Sequence, residues 1–179
     1  MSNHILKNGV FMGLALVAVS VILYIVDKSL LVNMSLMTVI GLAVPIYFMW
    51  KGGKDTRAEQ DGFASFGEML KVTFFIFIIG SFISNVGVFA LKKFDPTILE
   101  MEADAAIEMA TNMVDKVAGF TGASEDQLAE MKQEMDVQNE ATKEQILNQG
   151  VGSVILNWLG GMVFGLIISL IMSALMKVK

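Results

Sequence analysis

Residues 151–176 read VGSVILNWLGGMVFGLIISLIMSALM, 26 residues without an Asp, Glu, Lys, Arg or His. A helix needs about 20 apolar residues to cross the ~30 Å hydrocarbon core of a bilayer. This stretch is therefore expected to span a membrane and to end at Lys177 and Lys179. Three earlier stretches follow the same logic. Gly9 to Val26 carries no charge and stops at Asp27-Lys28. Leu31 to Trp50 stops at Lys51-Gly52-Gly53-Lys54 and contains Pro45, which removes one backbone donor and is expected to bend the helix. The last opens at Ser65-Phe66-Gly67-Glu68, runs over 66–91 and stops at Lys92-Lys93. Ser65 and Glu68 form a capping-box pattern, in which each side chain reaches the other residue's amide. At 1.5 Å per residue this helix is ~39 Å long, which puts its first turn in the headgroup layer. The first span is longer than a signal-peptide core and no small-x-small site follows it, so it is expected to be a retained anchor.

Composition agrees. Apolar residues make up 54% of the 179 and charged residues 17%, against about 25% charged in soluble domains. The expected fold is all-α: an integral membrane four-helix bundle with spans at about 9–26, 31–50, 66–91 and 151–176. Residues 92–149 form an extracytoplasmic helical hairpin inserted between helices 3 and 4. A net charge of −5 argues against nucleic acid, which needs basic patches. With no cysteine, disulfides, thiolate nucleophiles and Cys-ligated metals are excluded.

Four spans put both termini on one side. That side holds Lys7, Lys51, Lys54, Arg57, Lys71, Lys177 and Lys179; the other holds Lys28, Lys92, Lys93, Lys116, Lys132 and Lys143. Orientation follows basic residues close to span ends. Setting aside Lys116 and Lys132, deep in a long loop, leaves seven against four. The termini are expected to be cytoplasmic, with Tyr47 and Trp50 at the inner interface and Tyr24 and Trp158 at the outer one.

The insert holds 13 acidic and 5 basic residues, a net −8. Asp95-Pro96 reads as a helix start, and Gly119 and Gly122 as a break. Ser124-Glu125-Asp126-Gln127 reads as a second capping box. A last stretch from about Thr142 is expected to run into the fourth span. Met109, Met113, Met131 and Met135 recur at helical spacing, and methionine suits adaptable packing surfaces. They are expected to form a packing face, within the hairpin or against a neighbour.

Little in the chain carries chemistry. The single histidine, His4, reads as a solvated terminal residue, and no zinc constellation is available. There is no phosphate loop, serine elbow or metalloprotease pair. No span interior holds an ionisable residue, which counts against a pump. No catalytic, cofactor-binding or metal-binding residue is expected. The most specific pattern is Asn157, Gly161, Gly165, Ser169 and Ser173, a small residue at every fourth position. Such a stripe lets two helix backbones approach closely, either inside the bundle or against a second protein. Gly80, Ser84 and Asn85 of the third span are expected to meet it, with Asn85 and Asn157 in hydrogen-bonding reach. The other reading of these polar groups is a hydrated cavity.

Asp61-Gly62-Phe63-Ala64-Ser65-Phe66-Gly67-Glu68 before a long apolar helix is one part of a wider pattern. Phe94-Asp95-Pro96, Gly122-Ala123-Ser124-Glu125-Asp126-Gln127 and the run from Gly160 to Ile171 complete it. In order and spacing, over essentially the whole chain, these resemble the membrane family called domain of unknown function 4199, from one phylum of Gram-negative bacteria. The resemblance implies the inner membrane, an unassigned role, and no catalytic residue or cofactor. It also implies a neighbourhood of membrane glycosyltransferases that use polyprenyl phosphate.

The expected function is a non-enzymatic inner-membrane accessory or scaffold subunit of a membrane or cell-envelope complex. Its partners would be the lipid bilayer and another membrane protein or itself. The alternative is a small channel or a lipid or solute transporter.

Overall fold

A computed structural model describes residues 3–121 and 124–177. Gly122, Ala123 and Lys179 lie outside the described residues. The chain is all-α: α1 (Asn3–Asp27), a 3-10 turn (Lys28–Leu31), α2 (Met34–Glu59), α3 (Phe66–Phe94), α4 (Thr97–Thr121), α5 (Glu125–Leu147) and α6 (Val151–Met176). It divides into two compact units. One holds α1, α2, most of α3, and α6; the other is the segment Lys92–Gly150.

Four helices of the first unit are long and apolar enough to cross a membrane: α1 with its following turn, α2, α3 and α6. Their outward faces are apolar, with Ile25, Val39, Val163 and Leu175 all more than 60% exposed. A surface so rich in exposed apolar side chains suits hydrocarbon and is penalised in water. The chain is a membrane protein. Its interior is rich in methionine, with Met12, Met49 and Met69 fully buried beside Ile76.

Local chemistry accounts for the helix ends. Asp27 accepts from the Ser29 amide at 2.8 Å and starts the 3-10 turn. Asn33 accepts from Leu36 at 3.0 Å and caps α2. The turn into α3 uses left-handed backbone at Asp61 (φ 51°) and Gly62 (φ 91°), a pair of residue types that tolerates it. The Ser65/Glu68 capping box is present: Glu68 Oε2 accepts from the Ser65 amide at 2.9 Å, and Ser65 Oγ accepts from the Glu68 amide at 3.3 Å. Such caps are typically worth about 1 kcal/mol each.

Several boundaries differ from the sequence reading. The α2 helix does not stop at Lys51-Gly52-Gly53-Lys54 but continues to Glu59. The glycine pair is a packing device and not a breaker: both residues are buried, Gly52 under Ile76 and Gly53 under Met176. Lys54 folds back over the Trp50 ring, 4.3 Å from its centroid. Pro45 is buried within an otherwise continuous α2.

In the second unit, α4 and α5 form the expected hairpin. Asp95 Oδ1 accepts from the Thr97 amide at 3.0 Å where α4 begins. Ser124 and Gln127 complete the capping box of α5. Ion pairs Lys132–Asp115 (3.0 Å) and Lys143–Asp104 (3.3 Å) tie the two helices. They lie at the surface and so contribute little energy each. Gly119 does not end α4, which runs to Thr121, and the last stretch does not merge into α6: helix is broken at Asn148–Gly150. Of the four methionines, Met135 is buried and Met131 half-buried, whereas Met109 and Met113 are exposed.

Candidate functional site in the spanning helices

The small-residue stripe of α6 divides at Gly165. Below that point it packs on α3. Gly165 lies against the ring of Phe77, where an added Cβ would come within 2.7 Å of Cζ. Ser169 and Ser173 are fully buried. Thr73 of α3 donates to the Met69 carbonyl at 2.8 Å and lies 3.2 Å from Ser173 Oγ, which in turn donates to the Ser169 carbonyl. Serine and threonine hydroxyls inside a membrane commonly satisfy themselves in this way, against helix carbonyls and one another. The Ser169 hydroxyl is buried without a hydrogen-bond partner.

The other half of the stripe is not covered. Asn157 and Gly161 are exposed, as is Gly160, and an added Cβ at either glycine would meet nothing within 4 Å. The contact with α3 at this level comes from the neighbouring residue: Trp158 Nε1 donates to Ser81 Oγ at 3.0 Å and its ring packs edge-on against Phe82. The expected Asn85–Asn157 pair does not form. Asn85 donates to the Ser81 carbonyl of its own helix at 2.8 Å, and the rotation of α6 that turns Trp158 inward turns Asn157 out.

Gly80 also has a different partner from the one expected. It is buried against Met12 and the Gly9 carbonyl of α1. An added Cβ on Gly13 would sit 2.6 Å from Ile83 Cβ and 2.8 Å from the Gly80 carbonyl, and one on Gly9 2.8 Å from Ile79 Cβ. Farther along, Gly87 receives Val17. The helices α1 and α3 thus approach closely along a Gly9-xxx-Gly13 seam, the GxxxG pattern, which the sequence reading passed over. Ser84 is half-buried in α3.

A second missed cluster joins the start of α1 to the end of α2. His4 is not a solvated terminal residue: its side chain is 11% exposed. Its Nε2 lies 2.8 Å from Thr56 Oγ1 and its Nδ1 2.9 Å from Glu59 Oε1. Beside it, Asn8 is 2% exposed and donates to Asp55 Oδ2 at 3.0 Å and to the His4 carbonyl at 2.9 Å. Thr56, His4 and Glu59 stand in the order of a hydroxyl–imidazole–carboxylate triad. Two features argue against nucleophilic use. Thr56 donates its proton to the Gly52 carbonyl at 2.9 Å, and it is 5% exposed, leaving no approach for an electrophile. The cluster reads as a polar latch. Among the described residues no group of three or more His, Asp or Glu is placed to hold a metal ion.

Residues 7–178 match the family described as Protein of unknown function (DUF4199). The chain belongs to this family. No curated protein and no solved structure matches it. The matched residues run through both units.

Proposed function

We propose that this family member is a non-enzymatic accessory or scaffold subunit of a larger membrane or cell-envelope assembly. In this reading α1, α2, α3 and α6 form a four-helix bundle in the bacterial inner membrane. Both termini face the cytoplasm and the 92–149 insert faces the periplasm. The observation that carries the proposal is the uncovered part of α6. A side-chain amide, Asn157, is exposed beside two bare glycines on a membrane-spanning helix. A polar group facing hydrocarbon is costly, and bare glycines present a flat surface to an approaching helix. A helix of another membrane protein docked here would satisfy both. A membrane glycosyltransferase is one such partner, suggested by the family resemblance.

The test is gentle-detergent purification of tagged chain from native membranes, with mass spectrometry of what accompanies it. A stoichiometric membrane-protein partner that is lost on Gly161→Leu supports the subunit reading. A lone monomer, whose deletion leaves every other membrane protein at its normal level, removes it.

The second reading is a small channel or a lipid or solute transporter. The buried, partnerless Ser169 hydroxyl beside Thr73 and Ser173 favours it, since polar groups inside a membrane commonly mark a path. Solute flux in proteoliposomes that responds to Ser169→Val would support it.

A further inference from the structure

The hairpin of α4 and α5 has two unlike outer faces. Ion pairs Lys132–Asp115 and Lys143–Asp104 bridge the two helices along one side. Met109, Met113, Val117 and Phe120 fall at spacings of four, four and three, so they share one face of α4. By helical angle that face lies well away from Asp104 and Asp115. All four are exposed: Met109 by 37%, Met113 by 56%, Val117 by 50% and Phe120 by 93%. On α5 the outward face is acidic. Glu130, Glu134 and Glu144 share it and all are exposed. Val117 of the ridge and Glu130 and Glu134 of the acidic face line one open groove of about 570 Å³, together with Thr121, Gln127 and Met131.

An apolar ridge of this length on a helix outside the candidate spans is unusual without an occupant. Charge decides among the candidates. The segment carries a net −8. A second copy of the same face would bring like charge against like, and an anionic lipid surface would repel it. A helix that lies on a bilayer through its apolar face normally carries several Lys and Arg beside that face, whereas here Lys116 is the one basic residue of α4 at the ridge and the neighbouring groove is lined by Glu130 and Glu134.

We propose that this surface docks an amphipathic helix of another protein, with its apolar side on the Met113–Phe120 ridge and its basic side against Glu130 and Glu134. Binding of an amphipathic helix in a hydrophobic groove is a common recognition mode, and flanking charge sets its specificity and on-rate. This surface is separate from the exposed part of α6 and does not depend on it.

The full chain is reconstituted in nanodiscs of zwitterionic lipid. Because the chain lacks cysteine, Thr121→Cys at the groove rim carries a single environment-sensitive fluorophore. The probe is a short synthetic peptide of leucine and lysine patterned as an amphipathic helix, with empty nanodiscs as background. Its glutamate counterpart and a non-amphipathic scramble are the controls. The expected result is saturable binding of the lysine peptide alone. Met113→Ser with Phe120→Ser, and separately Glu130→Gln with Glu134→Gln, should each weaken it by at least about tenfold. All four positions are exposed, so the variants should fold, and circular dichroism checks this.

Equal binding of the glutamate peptide, or indifference to both pairs of substitutions, overturns the proposal. So does a blue shift on reconstitution without peptide that Phe120→Ser abolishes, which would place the ridge on lipid. A dimer that Phe120→Ser dissociates overturns it in favour of a second copy. Failure here leaves the α6 reading standing, because the co-purification test uses a different surface.

Discussion

Glu59 Oε1 lies 2.9 Å from His4 Nδ1, although 55 positions separate the two residues. With the Thr56 contact on the other ring nitrogen, this pins the first turn of α1 to the last turn of α2. Glu59 is 58% exposed, so solvent screens its share and the Thr56 side should matter more. His4→Ala is expected to cost about 1 kcal/mol, and Glu59→Gln less. Thermal unfolding of the detergent-solubilised variants measures both. Equal loss from the two would show that the Glu59 contact, and not the buried hydroxyl contact, holds the ends together.

Gly13 and Gly161 are both small residues of spanning helices, yet their substitutions should act in opposite ways. A side chain at Gly13 collides with Ile83 and with the Gly80 backbone. Backbone cannot yield as a side chain can, so Gly13→Val should cost about 1–3 kcal/mol or more. Gly161→Leu meets open space and should leave thermal stability unchanged, while abolishing association with the proposed partner. A Gly161→Leu protein that unfolds early would show that this surface is covered by the chain itself.

The hydroxyl pair on α6 separates in the same way. Ser169→Ala deletes a buried hydroxyl that has no hydrogen-bond partner and should be neutral or stabilising. Ser173→Ala breaks the contacts to Thr73 and to the Ser169 carbonyl and should cost about 1 kcal/mol. Unfolding in a denaturing detergent ranks them. If Ser169→Ala proves the more damaging, that hydroxyl has an unseen partner such as water, and the transporter reading gains.

The proposed orientation can be read from introduced thiols, each unique in a cysteine-free chain. Gln138→Cys in α5 should react with a membrane-impermeant maleimide added to spheroplasts. Asp61→Cys, in the turn between α2 and α3, should react only after lysis. The reverse pattern would invert the topology.

The spans were legible because they depend on one property, the absence of charge over a bilayer's thickness, and the caps because Ser65–Glu68 and Ser124–Gln127 are local. What escaped the sequence depends on helix rotation and on partners far apart in the chain. Gly9-xxx-Gly13 and Gly161-xxx-Gly165 are the same pattern, but only the first is closed by a helix of its own chain on both glycines. A spacing rule names small residues without saying what faces them. His4 looked solvated because α2 was expected to end at Trp50. Its continuation to Glu59 brings Thr56 level with the start of α1. The Asn85–Asn157 pair failed for a like reason: depth along a helix fixes height, not azimuth.

The glycine seam also bears on inheritance. Most single-base changes in a glycine codon replace the residue, and every replacement adds at least a Cβ. At Gly9, Gly13 and Gly80 that atom enters space already held by another helix, whereas at Gly41, Gly67 and Gly160 it enters none. Missense alleles at the first three positions should therefore behave as losses of the protein, while those at the last three pass through a population silently unless a partner depends on them.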